Sequence, residues 1–281
     1  MSDITSGTLY LVATPIGNLS DISARALKTL NEVDFIAAED TRVTRKLLEH
    51  FDIKKQLVSY YHHNKRISGE KILTRLIDGE NCALVTDAGT PCISDPGEDL
   101  VRMCSDEDIS IIIIPGPCAG VAALTLSGLP TERFTFEGYL STEKKKRLQH
   151  LEELKAEKRT MVFYEAPHKL KRTLKDMLNA FGNRRISISR EMTKIYEETL
   201  RITLAEAVEL FETKPQKGEF VIVVDGASEP TSQDVDLDEA VAFAISLIEK
   251  GLSTRDAVKK AAEETGCSRN MLYKSVTESL S

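Results

Sequence analysis

The sequence predicts an α/β fold of two α/β domains, the first on a parallel-type sheet and the second on a mixed one, followed by a small helical tail. Three observations carry this. Short aliphatic runs alternate with amphipathic helical ones through residues 1–126. Across 127–228 the strand-like runs lie closer together and are more mixed in pattern. A polar stretch, Gly226–Asp234, then separates the last strand-like run from an all-helical end at 235–281.

In the first half, Thr8–Ala13, Val33–Ala37, Cys82–Thr86 and Ser110–Ile114 are short and aliphatic, as strands buried on both faces are. Between them Ser23–Leu30, Thr44–Phe51, Ser68–Gly79 and Glu98–Cys104 read as amphipathic helices. Alternation of this kind gives a parallel sheet with right-handed crossovers. A further β-like run, Leu57–Tyr60, leads into a polar-aromatic stretch. In the second half, strands are predicted at Phe134–Glu137, Thr160–Tyr164, Ile186–Ser189, Thr199–Leu204 and Phe220–Val224, with helices at Lys144–Lys158, Lys169–Phe181 and Leu204–Thr213.

The tail, Leu237–Ser281, reads as three short helices. Ser253 with Asp256 resembles a capping box. Gly266 is placed as the glycine just past Ala257–Thr265, and Ser268 as the cap of Arg269–Thr277. The polar face of Arg269, Asn270, Tyr273 and Lys274 resembles a helix-turn-helix module. A packing or dimerisation appendage accounts for the same pattern.

The 281 residues are 41% apolar and 29% charged, enough to bury a core throughout, and the formal net charge is −7. No N-terminal signal segment is apparent, the longest aliphatic run is only Ile111–Ile114, and the five cysteines show no metal-ligand spacing. A reduced, cytoplasmic protein is expected, with no metal site. A naked-RNA binder is usually basic, so the acidic balance speaks against nucleic acid unless positive charge is local. Two helical runs supply local charge: Lys144–Arg147, and Lys169 with Lys171, Arg172 and Lys175. Such runs are more often solvated faces.

Each predicted strand of the first half runs into an unusual loop: Thr14–Leu19 (TPIGNL), Ala38–Arg42 (AEDTR), Thr86–Gly97 (TDAGTPCISDPG) and Pro115–Gly120 (PGPCAG). Parallel strands share one carboxyl edge, where ligands bind, so the four loops should converge on one cleft. Neither G-x-G-x-x-G nor a P-loop is present. What remains is a site built from main chain, with Gly89, Gly97, Gly116 and Gly120 allowing close approach and Pro91, Pro96, Pro115 and Pro117 stiffening it. S-adenosylmethionine suits such a surface, because carbonyl oxygens can neighbour its sulfonium. Tight turns capping the strands are the plainer reading.

The strings LYLVATPIGNLSDI, DFIAAEDTR, VTDAGTPCISDPG, IPGPCA, FYEAPHKL and KGEFVIVV, in that order across about Gly7–Gly226, resemble the tetrapyrrole-methylase-like, class III methyltransferases. Within that family they look like the ribosomal subgroup, which methylates the ribose 2′-hydroxyl of a cytidine in the decoding region of small-subunit RNA. The resemblance implies two α/β domains with S-adenosylmethionine in the cleft between them, a homodimer, and small-subunit RNA, assembled or assembling, as partner. It places Pro15, Asp87, Ala88, Gly89, Thr90, Ile93, Cys118, Ala119 and Glu165 at the cofactor. Thr90 stands where tetrapyrrole methylases carry Asp, and Asp87 three residues earlier. Cys118 is read as a small buried residue rather than a reactive thiol.

For the proton of an acceptor hydroxyl, candidates lie in three stretches. Glu39, Asp40 and Arg42 follow a strand, although Asp40 equally suits the cap of the next helix. His63, in Tyr61–Asn64, is of the residue type that most often takes a proton in catalysis, and the same stretch reads as plain surface loop. Glu191, in Arg190–Lys194, suits a base or an internal ion pair. Two other functions share these features: a small-molecule, tetrapyrrole-type methylase, and a ligand-responsive regulator whose tail binds DNA.

Overall fold

The computed structural model describes residues 6–227, 237–265 and 267–279. The chain divides into two compact units, 1–226 and 227–281.

The larger unit holds two five-stranded sheets. The first contains β1 (Thr8–Val12), β2 (Phe35–Ala38), β3 (Gln56–Ser59), β4 (Cys82–Val85) and β5 (Ser110–Ile114), in the order β3-β2-β4-β1-β5 and parallel throughout. The run expected at Leu57–Tyr60 is its edge strand. Helices α1 (Ala24–Glu32), α2 (Thr41–His50), α3 (Lys65–Ile77) and α4 (Glu98–Asp106) cover both faces. Along β2, Phe35 and Ala37 enter the core under α3 and α4, while Ile36 and Ala38 enter the core under α1 and α2. The aliphatic runs are unbroken because both faces of the sheet are buried.

After β5 comes α5 (Ala119–Ser127), a helix that no amphipathic pattern announces. Its sequence, AGVAALTLS, is almost wholly uncharged and apolar, as befits a helix packed on several sides. Ala123 and Leu124 pack on Val162, Val221 and Val223 of the second sheet. Gly128, in the left-handed region at φ +73°, ends it.

The second sheet contains β6 (Phe134–Tyr139), β7 (Thr160–Glu165), β8 (Arg185–Arg190), β9 (Glu198–Thr203) and β10 (Phe220–Val224), ordered β6-β7-β10-β8-β9. Only β6 and β7 are parallel, so the sheet is mixed as expected. Its other face is covered by α6 (Lys144–Glu153), α7 (Pro167–Phe181) and α8 (Leu204–Thr213), with Phe220, Ile222 and Val224 of β10 in that core. Pro167 opens α7, and a reciprocal Thr203–Glu206 box opens α8. Helix α6 stops short of the expected Lys158. The chain must turn there to enter β7, with the Lys158 carbonyl packed so tightly on Gly226 that no side chain would fit.

One basic run changes meaning. Arg147 is buried; it pairs with Asp176 at 2.8 Å and donates to the carbonyls of Ser141 and Thr142. Lys171 and Lys175 both pair with Glu212. Lys144, Lys145 and Arg172 remain exposed.

The smaller unit is helical: α9 (Leu237–Glu249), α10 (Thr254–Thr265) and α11 (Arg269–Ser279) share a core of Ala240, Ala244, Val258, Ala261, Leu272 and Val276. The Ser253 hydroxyl donates to Asp256 at 2.6 Å and accepts the Asp256 N–H at 3.2 Å. Ser268 contributes its carbonyl, which accepts from Leu272 N–H at 2.9 Å. Arg269, Asn270, Tyr273 and Lys274 are exposed. Gly266 and residues 228–234 of the expected linker lie outside the described residues. Among those described, no helix is long and apolar enough to cross a membrane.

Candidate functional site

The carboxyl ends of the five parallel strands share one edge, and the loops leaving them are tied together by main chain. Thr14 and Gly89 form an isolated bridge, Thr14 N–H to Gly89 O at 2.9 Å and Gly89 N–H to Thr14 O at 3.1 Å. The Thr14 hydroxyl adds a bond to the Thr86 carbonyl at 3.2 Å. Thr90 donates its hydroxyl to the Pro117 carbonyl at 2.9 Å, which joins the β4 loop to the β5 loop. Gly116 lies so close to Ala13 that an added Cβ would sit 2.9 Å from the alanine methyl.

Above this floor stands the second sheet. Tyr139 ends β6, Tyr164 lies near the end of β7, Glu191 and Met192 follow β8, and Glu219–Val221 open β10. Together with the first-sheet loops they enclose a cavity of ≈ 270 Å³. Phe136, Tyr139 and Tyr164 meet edge to face, with ring centres 5.0 and 5.5 Å apart. The Tyr164 hydroxyl accepts the Gly120 N–H at 2.9 Å, so β7 caps the first turn of α5.

The electrostatics are one-sided. Glu39, Asp87, Asp95, Glu191 and Glu219 all line the cavity, and among the described residues no lysine or arginine does. Burial pushes the Glu39 carboxyl up, and the neighbouring Asp87 adds to this. Burial likewise raises Asp87. Asp95 is pushed up to about 7, by burial first and then by Glu39 and Asp87. Burial also works to raise Glu191, but it is outweighed by the Lys194 ammonium, 3.0 Å from Oε1, and by the Glu219 N–H at 3.1 Å, which together hold it low.

Backbone strain gathers here too. Of the six non-glycine residues at positive φ among those described, Cys92, Ser94, Glu191 and Thr193 belong to the two loops that face the cavity. The others, Asp52 and Asp108, sit just past helix ends. Such conformations cost energy and cluster at working sites.

Of the residues the sequence offered for a cofactor, Asp87, Ala88, Gly89, Thr90, Ile93, Cys118 and Ala119 line this cavity. Pro15 lines a neighbouring one beside α2 that shares Asp87. Glu165 is not among the lining residues: it is buried and accepts the Ala166 N–H at 2.8 Å and the Thr173 hydroxyl at 2.5 Å. Its carboxylate serves the start of α7. Among the proposed bases, Glu39 and Glu191 line the cavity. Asp40 caps α2 through the Arg42 N–H at 2.8 Å and forks onto the Arg42 guanidinium, which holds its carboxyl down at about 2. His63 lies in an exposed turn, edge-on to His62 and Tyr61.

Sequence reasoning passed over Asp95, Tyr139 and Glu219. Asp95 and Glu219 stood inside quoted strings; Tyr139 could have been found by applying the strand-end rule to β6, which runs parallel to β7. Among the described residues, no cluster of three or more His, Cys, Asp or Glu is arranged to hold a metal ion.

Residues 8–208 match the profile of the tetrapyrrole (corrin/porphyrin) methylases. A protein of Halalkalibacterium halodurans named ribosomal RNA small subunit methyltransferase I is 51% identical over 270 residues, covering 95% of this chain and 93% of its own. A protein of the same name from Synechocystis is 47% identical, covering 95% and 96%. Among solved structures, uroporphyrin-III C-methyltransferase from Thermus thermophilus, complexed with S-adenosylhomocysteine, aligns with a TM-score of 0.53 at 17% identity, covering 77% of this chain and 97% of that one. That last likeness concerns the fold. With a match over most of its length and near-full-length relatives at about half identity, the chain belongs to the tetrapyrrole (corrin/porphyrin) methylase family, in the branch whose members are named ribosomal RNA small subunit methyltransferase I.

Proposed function

We propose that the chain transfers the methyl group of S-adenosylmethionine to small-subunit ribosomal RNA, and that the acceptor is the ribose 2′-hydroxyl of a cytidine in the decoding region. The observation that carries the cofactor half of this reading is the cavity itself: five carboxylates, no lysine or arginine among the described residues, and a floor of strand-end main chain at Ala88–Thr90. A ligand bearing a sulfonium and an ammonium fits that charge; a phosphate-rich one does not. The names of the near-full-length relatives support RNA as the substrate, and the S-adenosylhomocysteine held by the fold relative supports the cofactor.

S-adenosylmethionine, when bound, supplies an electrophilic methyl group. Asp87, Ala88, Gly89, Thr90, Ile93, Cys118 and Ala119 hold it in this reading. Glu39 and Asp87 supply negative charge on the first-sheet side, and Glu191, pinned by Lys194, supplies it on the second. Thr90 acts through the loop tether to Pro117, since its hydroxyl is committed there. Tyr139 and Tyr164 form an aromatic wall of the cavity.

The two sheets act as the two domains, 1–126 and 127–228, that flank the cofactor. The enzyme works as a homodimer in the cytoplasm. An acidic chain meets its target best where ribosomal proteins already screen the RNA, so the substrate is the assembled or assembling small subunit. Purified protein is incubated with methyl-labelled S-adenosylmethionine and small subunits from a strain lacking it. Label in the RNA is expected, whereas label only in a tetrapyrrole offered in parallel would reassign the substrate.

A further inference from the structure

A second cavity, of ≈ 370 Å³, adjoins the first, shares Asp87 with it, and lies between the loop leaving β1 and helix α2. The Asp40 N–H donates to Asp87 Oδ1 at 3.1 Å, which holds the start of α2 against the β4 loop at this junction. Pro15, Leu19, Val43 and Leu47 give the cavity apolar walls. Gly17 closes the β1 side. An added Cβ there would lie 2.5 Å from Lys194 Cγ, so this wall is packed on the loop after β8.

Three hydroxyl side chains line the cavity, and two are committed. Thr14 donates to the Thr86 carbonyl at 3.2 Å, and Thr86 reaches the carbonyls of Ala88 and Gly89 at 3.4 and 3.5 Å. Thr44 differs: the residue is 2% exposed, and its Oγ1 is buried with no hydrogen-bond partner among the described residues. A threonine within a helix can return its hydroxyl to the carbonyl four residues back. Thr74, Thr125 and Thr265 do so at 2.6–2.9 Å. For Thr44 that carbonyl is Asp40's, which takes the Thr44 N–H at 3.1 Å and leaves the hydroxyl open. An open hydroxyl in a cavity wall is set to bond what fills the cavity.

Charge separates the two cavities. The first is lined by five carboxylates and, among the described residues, by no lysine or arginine. The second is lined by Lys46 as well as Asp87, and α2 carries Arg42, Arg45 and Lys46 against the single Glu49. Arg45 and Lys46 are exposed, with no ion-pair partner among the described residues.

We propose that this second cavity seats the acceptor nucleotide of the RNA, splayed out of its strand, with Thr44 at the base and Lys46 at the phosphate; the assignment rests on the methyl-transfer reading above. Its volume suits a ligand of nucleotide size. A pyrimidine ring presents flat faces to the apolar walls, while its polar edge needs a partner, and the Thr44 hydroxyl can donate or accept there. The Lys46 ammonium meets the phosphate and sets the register of the strand. The ribose between base and phosphate lies toward Asp87, the residue common to both cavities. The cationic cofactor and the anionic acceptor are thereby sorted into separate compartments.

Thr44→Val and Lys46→Gln test this. Thr44→Val keeps the shape of the side chain and removes only the hydroxyl. Its kcat/KM for methylation of small subunits should fall roughly tenfold, and by no less than about threefold, as expected for one lost hydrogen bond. Its melting temperature should hold or rise, because an unpaired buried hydroxyl gives way to a methyl group. Calorimetric affinity for S-adenosylhomocysteine should stay within about twofold of wild type in both variants. Lys46→Gln should raise KM and reduce the slope of log KM against log salt by about 0.7, as for one phosphate contact on a single strand. A Thr44→Val loss smaller than about threefold overturns the proposal. So does a melting temperature that falls together with activity, since the hydroxyl would then be structural only. A drop of more than about tenfold in cofactor affinity would assign the cavity to the cofactor and overturn it as well. If the wild-type protein labels no RNA, the methyl-transfer reading itself has failed; if it labels RNA and both variants match it, only the nucleotide seat has.

Discussion

Thr14 and Gly89, seventy-five residues apart, exchange both of their main-chain hydrogen bonds, at 2.9 and 3.1 Å, and so fix the loops of β1 and β4 as one surface. Gly89 does this at φ +86°, where a side chain is strained even though an added Cβ would meet only ordinary contacts with Ile16 and Pro117. Gly89→Ala should therefore cost about 1–2 kcal/mol and also weaken binding of S-adenosylhomocysteine. Gly182→Ala is the control, at φ +72° with open space around it. It should lower the melting temperature comparably and leave calorimetric affinity untouched.

The Tyr164 hydroxyl is the cap of α5. Tyr164→Phe leaves the Gly120 N–H without its partner inside the wall of the cavity. A loss of about 1–3 kcal/mol is expected in urea unfolding, with cofactor affinity reduced because Ala119 shifts with the helix.

Much of this architecture was legible in the sequence, because a strand buried on both faces and an amphipathic helix each leave a periodic trace. Helix α5 left none: AGVAALTLS is apolar on nearly every side, and its identity as a helix depends on the sheet it packs against. The loops around Ala88–Thr90 and Cys118–Ala119 could be placed on one edge from strand direction alone. Glu165 could not, since its carboxylate is drawn to the Ala166 N–H and Thr173 by the local start of α7. Glu219 was missed because the second sheet's approach to the first is a long-range fact that no local spacing records, whereas Asp95 lay within a loop already placed at the edge and Tyr139 at a strand end the same rule covers.

The basic run at the start of α6 divides into two roles. Arg147→Ala strands Asp176 in a largely buried position and should destabilise the protein by about 3–5 kcal/mol in urea unfolding. Lys144→Glu with Lys145→Glu, both at exposed positions, should leave stability within about 0.5 kcal/mol. If this face docks on RNA, the same pair raises KM for small subunits and leaves kcat intact.

Asp95 also sets a pH dependence of stability. Its folded-state value, about 7, lies above the ordinary 3.8, so its contribution is full below about pH 4 and is lost as pH rises through 7. Asp95→Asn removes a charge that wild type must carry at pH 8, and should melt higher there by the equivalent of about 1–2 kcal/mol after allowance for solvent screening. The difference should vanish toward pH 4. Glu39 and Asp87 are present in both proteins but repel Asp95, so relief of that repulsion is part of the difference.

The central claim is that the methyl group goes to a ribose hydroxyl of small-subunit RNA, and alkaline hydrolysis of the labelled RNA tests it most directly. A 2′-O-methyl group blocks cleavage of the following phosphodiester, so the account predicts label in a single alkali-resistant dinucleotide beginning with cytidine. Label recovered in ordinary mononucleotides would place the methyl on a base and contradict it.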